Sequence, residues 1–187
     1  MPAAPLRRFG LLLVASVAAA FAVCLPPGEE GVRGSLLGSV QQVAASGLAQ
    51  WIEQSRASAA AGSQGIPRHI RAQLEPYYDR QVLDTVRYRV GDAGQFSAAT
   101  ALLLNPDVNA VTLVDLIAFR REEDARHNVA LWAHELTHVQ QYRQWGVQGF
   151  AVRYARDHSA VEAPAYAMQT RVARALRGLP TVAAGKP

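Results

Sequence analysis

The chain has 187 residues and half of them are apolar, enough for one domain with its own core plus attachments. Its formal charge is +4 and its pI lies near 9.6, yet every cationic side chain except Lys186 is arginine, and these are scattered. No block of five or more basic residues occurs, which excludes a nucleic-acid-binding stripe, and the single cysteine, Cys24, excludes an internal disulfide.

The N-terminus begins with two arginines, Arg7 and Arg8, and continues with the uncharged run FGLLLVASVAAAFAVCL. That order predicts a signal peptide over 1–25, with Ala18, Ala20 and Ala22 offering small-residue cleavage sites, or else a retained membrane anchor over residues 9–25. Either way the remainder is expected to be exported, periplasmic or secreted. PPGEEG opens a second region, 26–65, as a linker. Apolar residues at Leu36, Leu37, Val40, Val43, Ala44, Leu48, Trp51 and Ile52 then predict an amphipathic helix over 35–58. Small residues, glycine and proline in AAAGSQGIP mark a boundary, after which a domain is expected over 66–180, with a flexible tail over 181–187.

Within that domain a short helix follows Pro67 and a further helical stretch runs through YYDRQVLDTV. VRYRV alternates with period two and predicts a strand over 86–90; FSAATALLL predicts a helix. VTLVDLIAF, residues 111–119, reads as another strand, with Asp115 suggesting an edge or a half-exposed face. RREEDARHN is a polar connection in which Asp124 or Asn128 caps the next helix, expected to end near Trp145 with Gly146 as its stop. One or two more helices fill 150–179.

The helix over 129–145 carries the chemistry. Val129, Trp132, Leu136 and Val139 share one apolar side, while Leu131, His134, Glu135, His138 and Tyr142 share another. Residues four apart lie about 6 Å from one another on a helix face, so His134 and His138 reach a single cation. Zn2+ suits two neutral imidazoles and a carboxylate with a fourth position open, and Glu135 stands beside that position as a general base. H-E-x-x-H does not continue into a second glycine–histidine pattern, because Gln141 and Gln144 occupy the positions concerned. The third ligand is therefore sought among Asp157, His158 and Glu162, with Glu162 favoured. Ser159-x-x-Glu162 also spells a capping box, in which Glu162 would merely serve the helix start, and Pro164 argues against a regular helix there. His158, Tyr154 and Tyr166 are candidates for a proton donor or oxyanion stabiliser.

VRYRV, VTLVDLIAF, LWAHELTHVQQY and VEAPAYA together resemble the core domain of small bacterial gluzincin-type zinc metallopeptidases. Such domains occur in toxins and cargo linked to extracellular contractile injection systems. The resemblance covers roughly Tyr77 to Ala173, and AHELTHVQQ is its specific part. It implies His134, His138 and Glu162 as zinc ligands and Glu135 as catalytic base. It also implies an α+β fold, mostly helical, with a small sheet whose edge strand lies over the motif helix and takes an extended peptide by β-addition. The proline in EAPAY departs from the family pattern. The exported layout differs from the toxin context, so an injection-system role is not carried over. The function expected is an exported metallopeptidase acting on a peptide or protein substrate. A zinc-stabilised binding or accessory domain with little turnover is the alternative.

Overall fold

The structure, a computed structural model, describes residues 30–91 and 108–179. The leader over 1–25, the helix expected from FSAATALLL and the tail over 181–187 lie outside the described residues. The described elements are α1 (Glu30–Ala59), β1 (Gln64–Gly65), α2 (Arg68–Leu74), α3 (Arg80–Thr85), β2 (Arg87–Val90), β3 (Ala110–Leu113), β4 (Leu116–Phe119), α4 (Glu122–His127), α5 (Val129–Arg156) and α6 (His158–Leu176). Helices predominate and the four strands form one mixed sheet, so the fold is α+β as expected. Among the described residues no helix is long and apolar enough to cross a membrane.

The sheet runs in the order β1-β2-β4-β3, with β2 and β4 parallel and the outer pairs antiparallel. β4 is central and its residues Leu116, Ile117, Ala118 and Phe119 are all buried, as expected of a strand covered on both faces. Ile117 and Phe119 join the core on one side, where Trp132 of α5 is fully buried 4.7 Å from the Phe119 ring. Leu116 and Ala118 face the other way, onto Ala59 and Trp51 of α1.

VTLVDLIAF is two strands, not one. β3 and β4 form a hairpin whose two-residue turn is Val114 and Asp115, with Val114 at φ 64. A β-branched residue there costs about 1–2 kcal/mol, and neither glycine nor asparagine announces the turn. Its surroundings hold it in place. Asp115 receives two hydrogen bonds from the Arg56 guanidinium, at 2.6 and 2.9 Å, and the Asp115 carbonyl accepts from the Arg87 amide. Val114 packs with Ile52, Tyr142, Phe150 and Val161.

The polar connection RREEDARHN also differs from expectation, because it contains the short helix α4. Between Asp124 and Asn128 it is Asn128 that caps α5, accepting from the Leu131 amide at 3.0 Å. α1 is longer than expected; of the stripe expected on it Ile52 is buried and Leu48 and Trp51 are partly buried, while Val43 is 73% exposed and Ala45, Ala49, Ser55 and Ala59 are buried beside them. These small side chains let α1 lie close against Ala151 of α5. Strand pairing and packing both cross the boundary expected near residue 65: Gln64–Gly65 pairs with β2, and α1 shares a cluster with α5 and α6.

Candidate metal centre

The central part of α5 is set from both sides. Behind it, the buried Tyr78 hydroxyl donates to the Ala133 carbonyl and lies 3.0 Å from Thr137 Oγ1; burial pushes this phenol up to about 12. Trp132 Nε1 donates to the Ala125 carbonyl at 2.8 Å. With this apolar side fixed, His134, Glu135, His138 and Tyr142 are buried on the side facing β3 and α6.

Gly146 stops the first half of α5. Its φ of 69 and ψ of 170 lie in a region essentially reserved for glycine, and the chain resumes helix at once beyond it. Phe150 then stacks on Tyr142, ring centroids 4.0 Å apart, and Tyr154 stacks on Phe150 at 5.6 Å. Asp157 caps α6 by accepting from the Ala160 amide at 3.0 Å. Asp157 therefore serves the helix start, and the capping-box role considered for Glu162 is not realised. α6 runs unbroken through Pro164, contrary to expectation; Pro164 and Ala160, four residues apart, both lie on its exposed side.

One helical turn inside α6, Glu162 meets the two histidines. His134 Nε2 and His138 Nε2 are 3.1 Å apart; Glu162 Oε2 is 3.2 Å from the first and 3.5 Å from the second. Ligand atoms about 2.0–2.1 Å from a tetrahedral zinc are separated by about 3.3 Å, so this triangle has the dimensions of one face of such a site. Among the described residues this is the one group of three or more His, Cys, Asp or Glu side chains with ligand atoms so arranged. The donor set, two imidazoles and a carboxylate, suits Zn2+.

Charge follows the same geometry. Burial alone would raise the Glu162 carboxyl, but hydrogen bonds from His134 and His138 outweigh it and hold this acid well below its usual range. Burial works against a charged His138, yet the Glu162 hydrogen bond and charge lift its pKa overall. Glu162 and His138 thus each favour the charged form of the other.

Outer partners fix the site. His138 Nδ1 is 2.8 Å from Gln141 Oε1, and Gln141 Nε2 donates to the Val161 carbonyl at 2.8 Å. Thr112 of β3 donates to Glu135 Oε2 at 2.7 Å and lies 3.1 Å from the Glu135 carbonyl. Burial and then the Glu162 charge push the Tyr154 phenol up. Tyr166, half exposed on α6, sets its ring edge-on to His134 with centroids 4.7 Å apart; burial and then the Glu162 charge raise its pKa. Of the residues singled out from sequence, His134, His138, Glu162, Glu135 and Tyr166 come together. His158 does not join the triangle: it is exposed at the first position of α6, 3.4 Å from Ser159 Oγ and 6.3 Å, ring to ring, from Tyr154. Sequence reasoning missed Thr112, which no local signal reveals. It also passed over Gln141, whose place three residues after His138 was a usable one.

Residues 65–146 match the family model of the eCIS core domain, a link to extracellular contractile injection systems. The match takes in His134, Glu135 and His138 and ends before Glu162. No curated protein and no solved structure matches the chain.

Proposed function

We propose that the chain is a zinc-dependent peptidase of gluzincin type, exported by its N-terminal leader. The observation that carries this reading is the triangle of His134 Nε2, His138 Nε2 and Glu162 Oε2 with Glu135 buried on the same helix face. His134, His138 and Glu162 would hold the ion. When bound there, zinc supplies Lewis acidity and brings the pKa of its water to about 7.

The chain's own groups do the rest. Glu135 takes the proton from the attacking water and passes it to the leaving amine. Thr112 holds Glu135 Oε2 and so assigns Oε1 to the proton transfer. Tyr166 donates its hydroxyl proton to the carbonyl oxygen as negative charge develops. β3, at the end of the described sheet, offers its outer edge to an extended peptide, and Thr112 ties that strand to the base.

A purely structural zinc site has no use for a buried carboxylate beside the open position, which favours turnover over a binding or accessory role. The test is metal content of the purified exported part, with casein or a peptide library as substrate. Stoichiometric zinc, with cleavage abolished in Glu135→Gln, supports the reading. Zinc without Glu135-dependent cleavage transfers the site to the accessory role, and absence of zinc ends both.

A further inference from the structure

The two imidazoles of the triangle are not held alike. His134 Nδ1 is buried and has no hydrogen-bond partner among the described residues. His138 Nδ1, in contrast, meets a carboxamide whose orientation is settled by chemistry alone. The Val161 carbonyl can only accept, so the Gln141 group 2.8 Å away must be its NH2. The remaining end, Oε1, can only accept, so His138 Nδ1 must carry the proton. Nδ1 therefore carries a proton whatever the charge of the ring, and a neutral His138 is the Nδ1–H tautomer with Nε2, 3.1 Å from His134 Nε2 and 3.5 Å from Glu162 Oε2, as its ligand atom.

The same amide reaches the other helix. Val161 directly precedes Glu162, so Gln141 grips the α6 backbone one residue before the third ligand. Gln141 is itself buried, with 5% of its surface exposed, so water does not compete with either bond. From this we infer that Gln141 is a positioning residue for the metal site: one side chain sets the tautomer of His138 and locks Glu162's helix onto α5. Outer-shell partners of this kind are worth ten- to hundredfold in metal affinity. Because His134 has no such partner, that burden falls on Gln141.

The inference rests on the metal reading above, and the experiment separates the two. Zinc and cobalt affinities are measured by competition titration on the parent, His138→Ala, Gln141→Met and Gln141→Glu, with the visible spectrum of the cobalt forms. The His138 tautomer is read from imidazole 15N shifts in the parent. The parent is expected to bind zinc with His138 in the Nδ1–H tautomer, and Gln141→Met to bind it ten- to hundredfold more weakly with an altered cobalt spectrum. Gln141→Glu restores an acceptor for Nδ1–H without the bond to Val161, and is expected to recover part of the loss. If the parent binds no zinc, the metal reading fails and this inference with it. If the parent binds but Gln141→Met keeps its affinity and spectrum, only the role of Gln141 is overturned. That role is equally overturned if His138 proves to be the Nε2–H tautomer, or if Glu and Met at position 141 lose affinity equally. The tautomer is read in the metal-free parent with His138 neutral, because zinc on Nε2 would itself impose Nδ1–H, and an Nε2–H ring there overturns the role of Gln141 even if Gln141→Met does not fold.

Discussion

Glu162 is the corner of the triangle that the family match does not reach, so its replacement is the sharpest perturbation. Glu162→Gln keeps the shape and removes the charge and the strong ligand oxygen, leaving His134 and His138 in place. Losing only an outer partner costs ten- to hundredfold in affinity, so losing the ligand itself should cost at least about a hundredfold. Ligand binding to the native state stabilises it by RT ln(1 + [L]/Kd). With zinc held at 100 times the parent's Kd, the parent gains about 2.7 kcal/mol. The variant, now at or above a Kd equal to that zinc concentration, gains about 0.4 kcal/mol or less. For a chain of this size 1 kcal/mol moves Tm by about 2–4 °C, so the zinc-dependent shift should fall from about 5–11 °C to about 1–2 °C or less. Each protein is melted with zinc and with chelator, so any change in the metal-free stability cancels. His158→Ala, altering an exposed residue outside the triangle, should keep the parent's shift. A full shift in Glu162→Gln, or a lost one in His158→Ala, would refute the assignment of the third ligand.

The metal-free site has its own pH signature. Glu162's lowered pKa contributes stability that is present above the unfolded value of about 4.3 and lost as pH falls through the folded one; His138's raised pKa contributes stability present below about 6.5 and lost as pH rises through its folded value. The chelated protein should therefore gain most from this trio between about pH 4.3 and 6.5, a gain absent in His138→Ala melts. Zinc competes with protonation of His138, so its Kd should rise as pH is lowered through the folded His138 value, and a pH-independent Kd would contradict this. Trp132→Ala, emptying a fully buried site against Phe119 and Tyr88, should cost about 3–5 kcal/mol in chemical denaturation. Thr112→Val removes the hydrogen bond to Glu135 without touching a ligand. Casein hydrolysis should fall at least tenfold while zinc affinity stays within twofold of the parent, and equal loss of both would show that Thr112 acts on the fold instead.

The motif helix was legible because its signals are local. Asn128 as cap, Gly146 as stop, and Val129, Trp132, Leu136 and Val139 at helical spacing all say the same thing within nineteen residues, and the structure follows them. The strand pair was misread because its turn carries no turn residue: Val114 and Asp115 look like continuing strand, and what bends them is Arg56, nearly sixty residues earlier. The buried face of α1 was only partly legible: Ile52, Leu48 and Trp51 turn inward as expected, but Val43 does not. Hydrophobicity ranks Val43 above Ala45, but close approach to α5 ranks size first, so Ala45 and Ala49 are buried against Ala151 and Val43 is exposed. Helix α4 was passed over because six largely charged residues, Glu122 to His127, carry no apolar periodicity.

Glu162 shows how far a motif can go before packing takes over. H-E-x-x-H fixes two imidazoles by helical geometry alone, but where Glu162 falls beside them depends on the angle at which the chain returns. That angle is set at Gly146, where the backbone takes a conformation costing a non-glycine residue about 1–3 kcal/mol. A Cβ at Gly146 would have no atom within 4 Å, so the glycine is there for its backbone and not for space. Past the bend, the Tyr142–Phe150–Tyr154 stack holds the second half of α5 against the first, and the Gln141 amide fastens α6 at Val161. All three devices lie in or beside the motif helix, yet none contributes a ligand atom. The matched core thus brings the two histidines and Glu135, while closure of the triangle is a property of how α5 and α6 pack. A sequence that kept HELTH and lost the bend, the stack or the amide would keep the motif and lose the triangle.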